Sequence, residues 1–277
     1  MNWRLIPYQV GNPAWNMALD EALFQSYLQG CSLPTLRFYG WDPPTVSLGY
    51  FQNAEREIEL ANLHTRGFGL VRRNTGGRAV LHDRELTYSV IAGAKAGLPD
   101  SLTESYLYIS RALVVALRNF GIQAELHQGS TVKNSSGGAC FDAPSWYELT
   151  VEKRKLVGSA QLRHKDGFLQ HGSILLEFIV TDLAAVIKSG NLTEVEFRST
   201  LKERVTSFKN LGVKVSIEEL AAAIIAGFNN LYQINFITAS PSKAELEMAE
   251  QLVGAKYSNP DWNLDRGKSN NQQRLRA

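Results

Sequence analysis

The sequence predicts an α+β fold, a mixed and largely antiparallel β-sheet flanked by helices, on three observations. Strand-like and helix-like stretches are interspersed without strict βαβ alternation. Three strand-like runs in the middle of the chain are joined by short turns, the pattern of an antiparallel meander. From Thr181 onward the chain turns helical. At 277 residues the chain can bury a full core, and neither an internal repeat nor a clear boundary precedes Val180. One domain is therefore expected over residues 1–265, with its core at about 30–240 and C-terminal helices within 181–258. The polar remainder, "RGKSNNQQRLRA", is expected to be a disordered tail.

In chain order, "NPAWNMALDEALFQSYLQG" opens with Asn12 as N-cap and Pro13 at the first helical position. Ala14, Ala18, Leu19, Ala22, Leu23 and Tyr27 then share a helical face, and Gly30 ends the run. "LRFYGW" and "TVSLGYF" predict two strands broken by Asp42-Pro43-Pro44. "AEREIELANLHTRG" predicts one helix with a glycine stop. "GLVRRNTGGRAVLHDRELTYSVIAG" predicts two strands around a Gly-Gly turn. Ser101 and Glu104 pattern as a capping box for a long helix that ends near Gly121. "GIQAELH" is a short strand, and the Ser/Gly-rich segment from Gln128 to Gly138 is a loop by composition. "SWYELTVE", "KLVGSAQLR" and "GFLQHGSILLEF", joined by "KRK" and "HKDG", form the meander. Ser216 and Glu219 cap "IEELAAAIIAGFNNLY", and "SKAELEMAEQLVGAKY" forms the last helix.

Composition excludes several classes of function. A net charge of +2 produces no broad electrostatic field, so bulk charge does not point to nucleic acid. Two cysteines, Cys31 and Cys140, are too few for a disulfide framework. No secretory pattern opens the chain, and the longest apolar run, "LAAAIIAG", is far short of a membrane span. A cytoplasmic protein with reduced thiols is expected. The five histidines show no metal-ligand spacing, so no metal site is expected.

Cys140 follows Gly137-Gly138 and precedes a basic Lys153-Arg154-Lys155 turn. One reading makes it a small buried hydrophobe. The other makes it a nucleophile, which requires a cation or helix N-terminus to lower the thiol pKa from about 8.5. Spacing alone does not choose among the three basic residues. Cys31, past a helix end with no basic neighbour until Arg37, carries no such signal. In "VRRNTGGRAVLHD", Gly76-Gly77 and the guanidinium groups of Arg72, Arg73 and Arg78 suit a carboxylate or phosphate, or else a hairpin turn with solvated arginines. His82-Asp83 is an oriented imidazole or a turn pair. His171 is a hydrogen-bonded core histidine or lines a site. The small residues of "GSAQLR" admit a substrate chain along the sheet or tight packing under a helix.

Taken together, "RRNTGGRAVLHDRELTYSV", "KLVGSAQ" with its preceding lysine, and "QHGSILL" resemble the lipoate/biotin protein ligase superfamily. Within it, "ACFDAPSWYELTVEKRKLVGSAQ" is similar to the cysteine-dependent, LipM-type octanoyltransferases of lipoate synthesis, over about residues 1–265. The resemblance implies a catalytic domain of the class II aminoacyl-tRNA synthetase and biotin/lipoate ligase type. It implies transfer of octanoyl from octanoyl-acyl carrier protein to a lysine on a lipoyl-domain protein, such as the glycine cleavage H protein or a 2-oxoacid dehydrogenase E2 domain. Cys140 would form the acyl thioester, and Lys155 would lower its pKa and orient the carbonyl. Arg72, Thr75, Gly76, Gly77, Arg78 and His82 would surround the acyl group. Gly158, Ser159, Ala160 and Gln161 would line its channel, with His171 and Gly172 beside them. No cofactor, metal, nucleic acid or membrane is implied, and a monomer is expected. The alternatives are an ATP-dependent lipoate–protein ligase, an octanoyl amidotransferase between lipoyl domains, and a non-catalytic lipoate- or biotin-binding module. ATP-using ligases of the superfamily carry a glycine run where this chain has Gly76-Gly77-Arg78. The LipB-type transferases place their cysteine beside the strand that here holds His171, so the nucleophile would come from the Cys140 loop.

Overall fold

The computed structural model describes residues 1–127 and 148–266. The strands are β1 (Asn2–Gly11), β2 (Thr35–Trp41), β3 (Thr45–Leu48), β4 (Gly69–Arg72), β5 (Val80–His82), β6 (Glu85–Ala92), β7 (Glu125–His127), β8 (Glu148–Val151), β9 (Arg154–His164), β10 (Gly167–Leu175) and β11 (Asn235–Thr238). The helices are α1 (Pro13–Leu28), α2 (Ala54–Glu57), α3 (Leu60–Thr65), α4 (Leu102–Arg118), α5 (Val180–Val186), α6 (Glu194–Arg204), α7 (Ile217–Tyr232), α8 (Lys243–Leu252) and α9 (Pro260–Asp265). Among the described residues one sheet runs β11-β1-β2-β6-β10-β9-β8-β7 and a second runs β4-β3-β5. The large sheet is antiparallel from β2 to β7, and only β1 pairs in parallel, with β2 and β11. The predicted mixed, largely antiparallel sheet flanked by helices is the observed architecture.

Side-chain alternation sends the two faces of this sheet to different partners. Leu36, Phe38, Leu86, Tyr88 and Val90 pack against Ile109 and Leu113 of α4 and Ile224 and Phe228 of α7. On the other face Tyr39, Ile91 and Leu169 meet Leu19 and Leu23 of α1, with Ala249 of α8 outside them. A third cluster joins Val46 and Leu48 of β3 to Leu183 of α5 and Phe197 and Leu201 of α6. No helix among the described residues is long and apolar enough to cross a membrane.

Several expectations are corrected. The strands flanking Gly76-Gly77 do not pair with each other: β4 and β5 lie on opposite sides of β3, so the intervening loop is a crossing connection. "AEREIELANLHTRG" forms two short helices separated at Ile58, which is pinned by a bridge to Ile187. The chain start and "NFIT" are both strands: β11 enters after α7 and pairs with β1 at the sheet edge. A further helix, α9, follows α8. Asn12, Ser101 and Ser216 cap their helices as predicted, although Glu104 bonds the Ser101 hydroxyl and completes no reciprocal box. The loop from Gln128 to Gly138 and the tail beyond Arg266 lie outside the described residues.

Candidate active site

Strand register assembles the floor of the site. Arg37 of β2, Ser89 of β6 and His171 of β10 sit side by side, and Tyr39, Thr87 and Ser173 form the next row. Each row projects toward α1, the face opposite α4. Helix α1 meets this polar surface with Asp20, which accepts from Arg37 at 2.6 Å, Tyr39 at 2.9 Å and Ser89 at 2.9 Å. His171 Nδ1 lies 3.4 Å from the same carboxylate. Burial alone would raise the Asp20 pKa, but the Arg37 guanidinium and His171 hold it below the ordinary value. Burial dominates at His171 and lowers its pKa, so the imidazole is neutral at pH 7. The predicted apolar face of α1 is present, but Asn16 and Asp20 are buried as well, bonded to Arg37.

Above this floor lies a cavity of about 250 Å³. Small residues make the room. Ala160 and Gly158 of β9 stand opposite His171 and Ser173, where larger side chains would fill the space. Trp41, Met17 and Val80 supply apolar walls, while Gly77, Arg78 and His82 close the side toward the loop. The pairing of β9 with β8 shifts by one residue at Leu149/Thr150. Strict alternation would put Lys155 on the face of Val157, away from Gly158. The extra residue turns it over, and a Cβ on Gly158 would come within 2.6 Å of Lys155 Cε and 2.9 Å of Nζ. Lys155 therefore lies over the Gly158 backbone on the cavity side, with Glu148 at 2.5 Å as one partner. Of the other two basic turn residues, Lys153 is exposed and Arg154 pairs with Glu152 at 2.8 Å. The register shift decides which of the three faces the cavity.

The loop between β4 and β5 is held from within. Arg73 donates to the carbonyls of Ser47, Gly76 and Arg78 at 2.8–3.0 Å, and to the hydroxyls of Ser47 at 3.0 Å and Thr75 at 3.1 Å. Gly77 has φ +92, which favours glycine, and the loop approaches so closely that a Cβ on Gly49 would sit 1.9 Å from Gly77 O. His82 Nδ1 is 2.7 Å from Glu85 Oε1 and its Nε2 is 2.8 Å from Ser47 Oγ. Trp41 stacks on the imidazole at 4.3 Å between centroids.

The expected site residues divide into those that border the cavity and those that do not. Lys155, Gly77, Arg78 and His82 border it, as do Gly158, Ser159, Ala160, His171 and Gly172. Arg72 does not: fully buried, it donates to six backbone carbonyls, at Gly49, Tyr50, Gln52, Trp262, Asn263 and Leu264. Desolvation lowers its pKa to about 10, and it remains charged at pH 7. Gly76 and Thr75 belong to the loop behind the wall, with Thr75 Oγ1 2.7 Å from His171 Nε2. Gln161 bonds Gln170 and Ser105 away from the cavity. Cys140 lies outside the described residues, while Cys31 is exposed beyond α1. Sequence reasoning passed over Ser47, Trp41, Thr87 and Ser173, all cavity-lining. No local motif marks them, although a serine inside the apolar run "TVSL" was a usable signal. Among the described residues no group of three His, Cys, Asp or Glu could hold a metal ion.

Comparison with known proteins agrees with this fold. The profile of the lipoyl protein ligase A/B catalytic domain matches residues 12–229. The octanoyltransferase LipM of Kyrpidia tusciae is 45% identical over 94% of this chain and 98% of its own length. That of Bacillus subtilis is 40% identical over 95% and 98%. Among solved structures, the bipartite lipoate protein ligase of Thermoplasma acidophilum superposes with a TM-score of 0.80 at 29% identity, covering 95% of this chain and 96% of its own. A lipoate-protein ligase A bound with ATP also gives 0.80, at 31% identity and 95% and 99% coverage. With its profile, its full-length relatives and its fold in accord, the chain belongs to the lipoyl protein ligase A/B catalytic domain family.

Proposed function

We propose that the chain is an octanoyltransferase of lipoate biosynthesis that takes octanoyl from octanoyl-acyl carrier protein, holds it as a thioester on Cys140, and passes it to a lysine of a lipoyl-domain protein. The acceptor is the glycine cleavage H protein or a 2-oxoacid dehydrogenase E2 domain, and the enzyme works as a cytoplasmic monomer without cofactor or metal. The observation that carries the reading is the 40–45% identity to LipM octanoyltransferases over nearly the whole chain. An apolar-walled cavity with an ammonium over a floor of small residues is what an acyl thioester needs. Lys155 favours the thiolate of Cys140 by its charge. Thiolate attack on the donor thioester forms one C–S bond and breaks another, so the exchange is close to thermoneutral and needs no nucleotide. Attack by the acceptor amine then gives an amide, which is downhill. Gly77, Arg78 and His82 flank the acyl group, Gly158 to Ala160 carry its chain, and Arg72, Thr75, Gly76 and Gln161 act by supporting that wall.

The first test is intact-mass spectrometry after incubation with octanoyl-acyl carrier protein and no nucleotide. One octanoyl adduct, mapped to Cys140, reversed by hydroxylamine and absent in Cys140→Ala, is the expected result. A second reading, ATP-dependent ligation, is favoured by the likeness to a ligase bound with ATP. Transfer to a lipoyl domain that requires ATP would establish it in place of the transferase, and transfer that persists in Cys140→Ala would remove the transferase reading.

A further inference from the structure

From the hydrogen bonds around Arg73, and resting on the acyl-enzyme reading above, we propose that Ser47, His82 and Glu85 form a proton relay that deprotonates the incoming acceptor lysine. An arginine can only donate, so Ser47 Oγ accepts from Arg73 NH1 at 3.0 Å. The hydroxyl proton of Ser47 is then free to point at His82 Nε2, 2.8 Å away. The Glu85 carboxylate assigns the tautomer: Nδ1 donates to Oε1 at 2.7 Å, and in the neutral ring Nε2 is then the acceptor for the Ser47 proton. Glu85 is itself held by Thr87, at 2.6 Å on the same oxygen, and by Ser173 on the other. Trp41 covers one face of the imidazole and donates to Thr87 at 2.8 Å. A serine, a histidine and a carboxylate thus stand in line, and Ser47 and His82 both line the cavity.

Aminolysis of a thioester gives such a line a task. A lysine arrives as an ammonium, with a pKa of about 10.4, and cannot attack until it loses a proton. In the relay, the ammonium proton passes to Ser47 Oγ while the Ser47 proton passes to His82 Nε2, leaving an imidazolium against Glu85. The freed nitrogen lone pair attacks the carbonyl carbon. The C–N bond forms, the C–S bond breaks, and its electron pair leaves on sulfur. Sulfur takes the second N–H proton, and the imidazolium returns the first to solvent.

The other histidine does not serve this role. His171 Nε2 is tied in the same way to Thr75 Oγ1, at 2.7 Å, which Arg73 fixes from its other edge. Thr75, however, does not border the cavity. The charged and titratable groups around His82 are Glu85 on β6, Arg73 beyond Ser47, His171 on β10 and Asp83 next in the chain, with Arg78 and Lys155 on the same cavity. The Tyr8 and Tyr39 hydroxyls feel the Glu85 charge.

The test separates the half-reactions. Octanoylation of the enzyme by octanoyl-acyl carrier protein, and transfer from the isolated octanoyl-enzyme to a lipoyl-domain protein, are each timed by intact mass from pH 6 to 9. For Ser47→Ala, transfer at pH 7 falls at least about tenfold more than octanoylation does. Its rate then climbs with pH in step with the free amine, where the unsubstituted enzyme levels off. For His82→Ala, added imidazole restores transfer in a saturable manner. Equal losses in both half-reactions, an unchanged pH profile in Ser47→Ala, or no response to imidazole would overturn the relay. Absence of any adduct on the unsubstituted chain is a separate outcome, which overturns the acyl-enzyme reading and the relay with it.

Discussion

Lys155 and Arg72 are both cationic residues beside a glycine motif, yet the fold uses them in opposite ways. Lys155 lies over Gly158, and the added methyl of Gly158→Ala would meet only the flexible end of that side chain. This substitution is expected to change stability by no more than about 1 kcal/mol while lowering acyl transfer at least tenfold, checked by urea unfolding beside the mass assay. Arg72 instead satisfies carbonyls from the segment after β3 and from α9. A buried acceptor left without a donor costs about 1–3 kcal/mol, so Arg72→Met is expected to lose several kcal/mol of stability and to loosen α9. Hydrogen exchange over residues 260–265 measures the second effect. A stable Arg72→Met with raised KM alone would restore the substrate-binding role. Arg72 and the adjacent Arg73 look alike in sequence; partners more than 190 positions away make Arg72 a staple for the C-terminus.

At the scale of elements, the meander and the capped helices were legible because turns and caps are local signals. The pairing of β4 and β5 was not, because a Gly-Gly step between two strands suits a hairpin and a crossing loop equally well. What decides is β3, which takes both strands as neighbours and leaves the loop to fold over Gly49. Gly49→Ala would press a Cβ against the Gly77 carbonyl and is expected to cost on the order of 3 kcal/mol, read as a lower urea midpoint with unchanged m. Ala160→Phe places a large ring on the cavity floor beside His171. It is expected to block octanoylation while the protein still folds, which circular dichroism and the adduct assay report together. A serine in the short apolar run "TVSL" marks Ser47 as a buried polar group, but its partners Arg73 and His82 come from other strands and loops, so its place at the cavity was not legible.

For the whole molecule, buried polar pairs tie distant segments together. Arg4 of β1 and Glu245 of α8 form a two-pronged ion pair at 2.7 and 2.8 Å across 241 positions. Asp20, Arg37 and His171 join α1 to the sheet centre. The pKa of His171 is lowered in the folded state, so below its ordinary value near 6.5 the unfolded chain binds more protons. Stability is therefore expected to be full above pH 6.5 and to fall as pH drops from there through the folded-state value. Urea midpoints at pH 7.5 and 5.5 test this, and His171→Gln should flatten the difference. Asp20 and Glu245, with lowered pKa values, act in a more acidic window, below about pH 4.5. By itself the sequence determined the α+β class, the capped helices, the meander and a family resemblance, because propensity, caps and short motifs are encoded within a few residues. Only the tertiary structure decided that Lys155 rather than its neighbours faces the cavity, that Arg72 braces the C-terminus, and that Ser47, His82 and Glu85 align. Those outcomes depend on strand register and on contacts across the chain, which no local pattern carries.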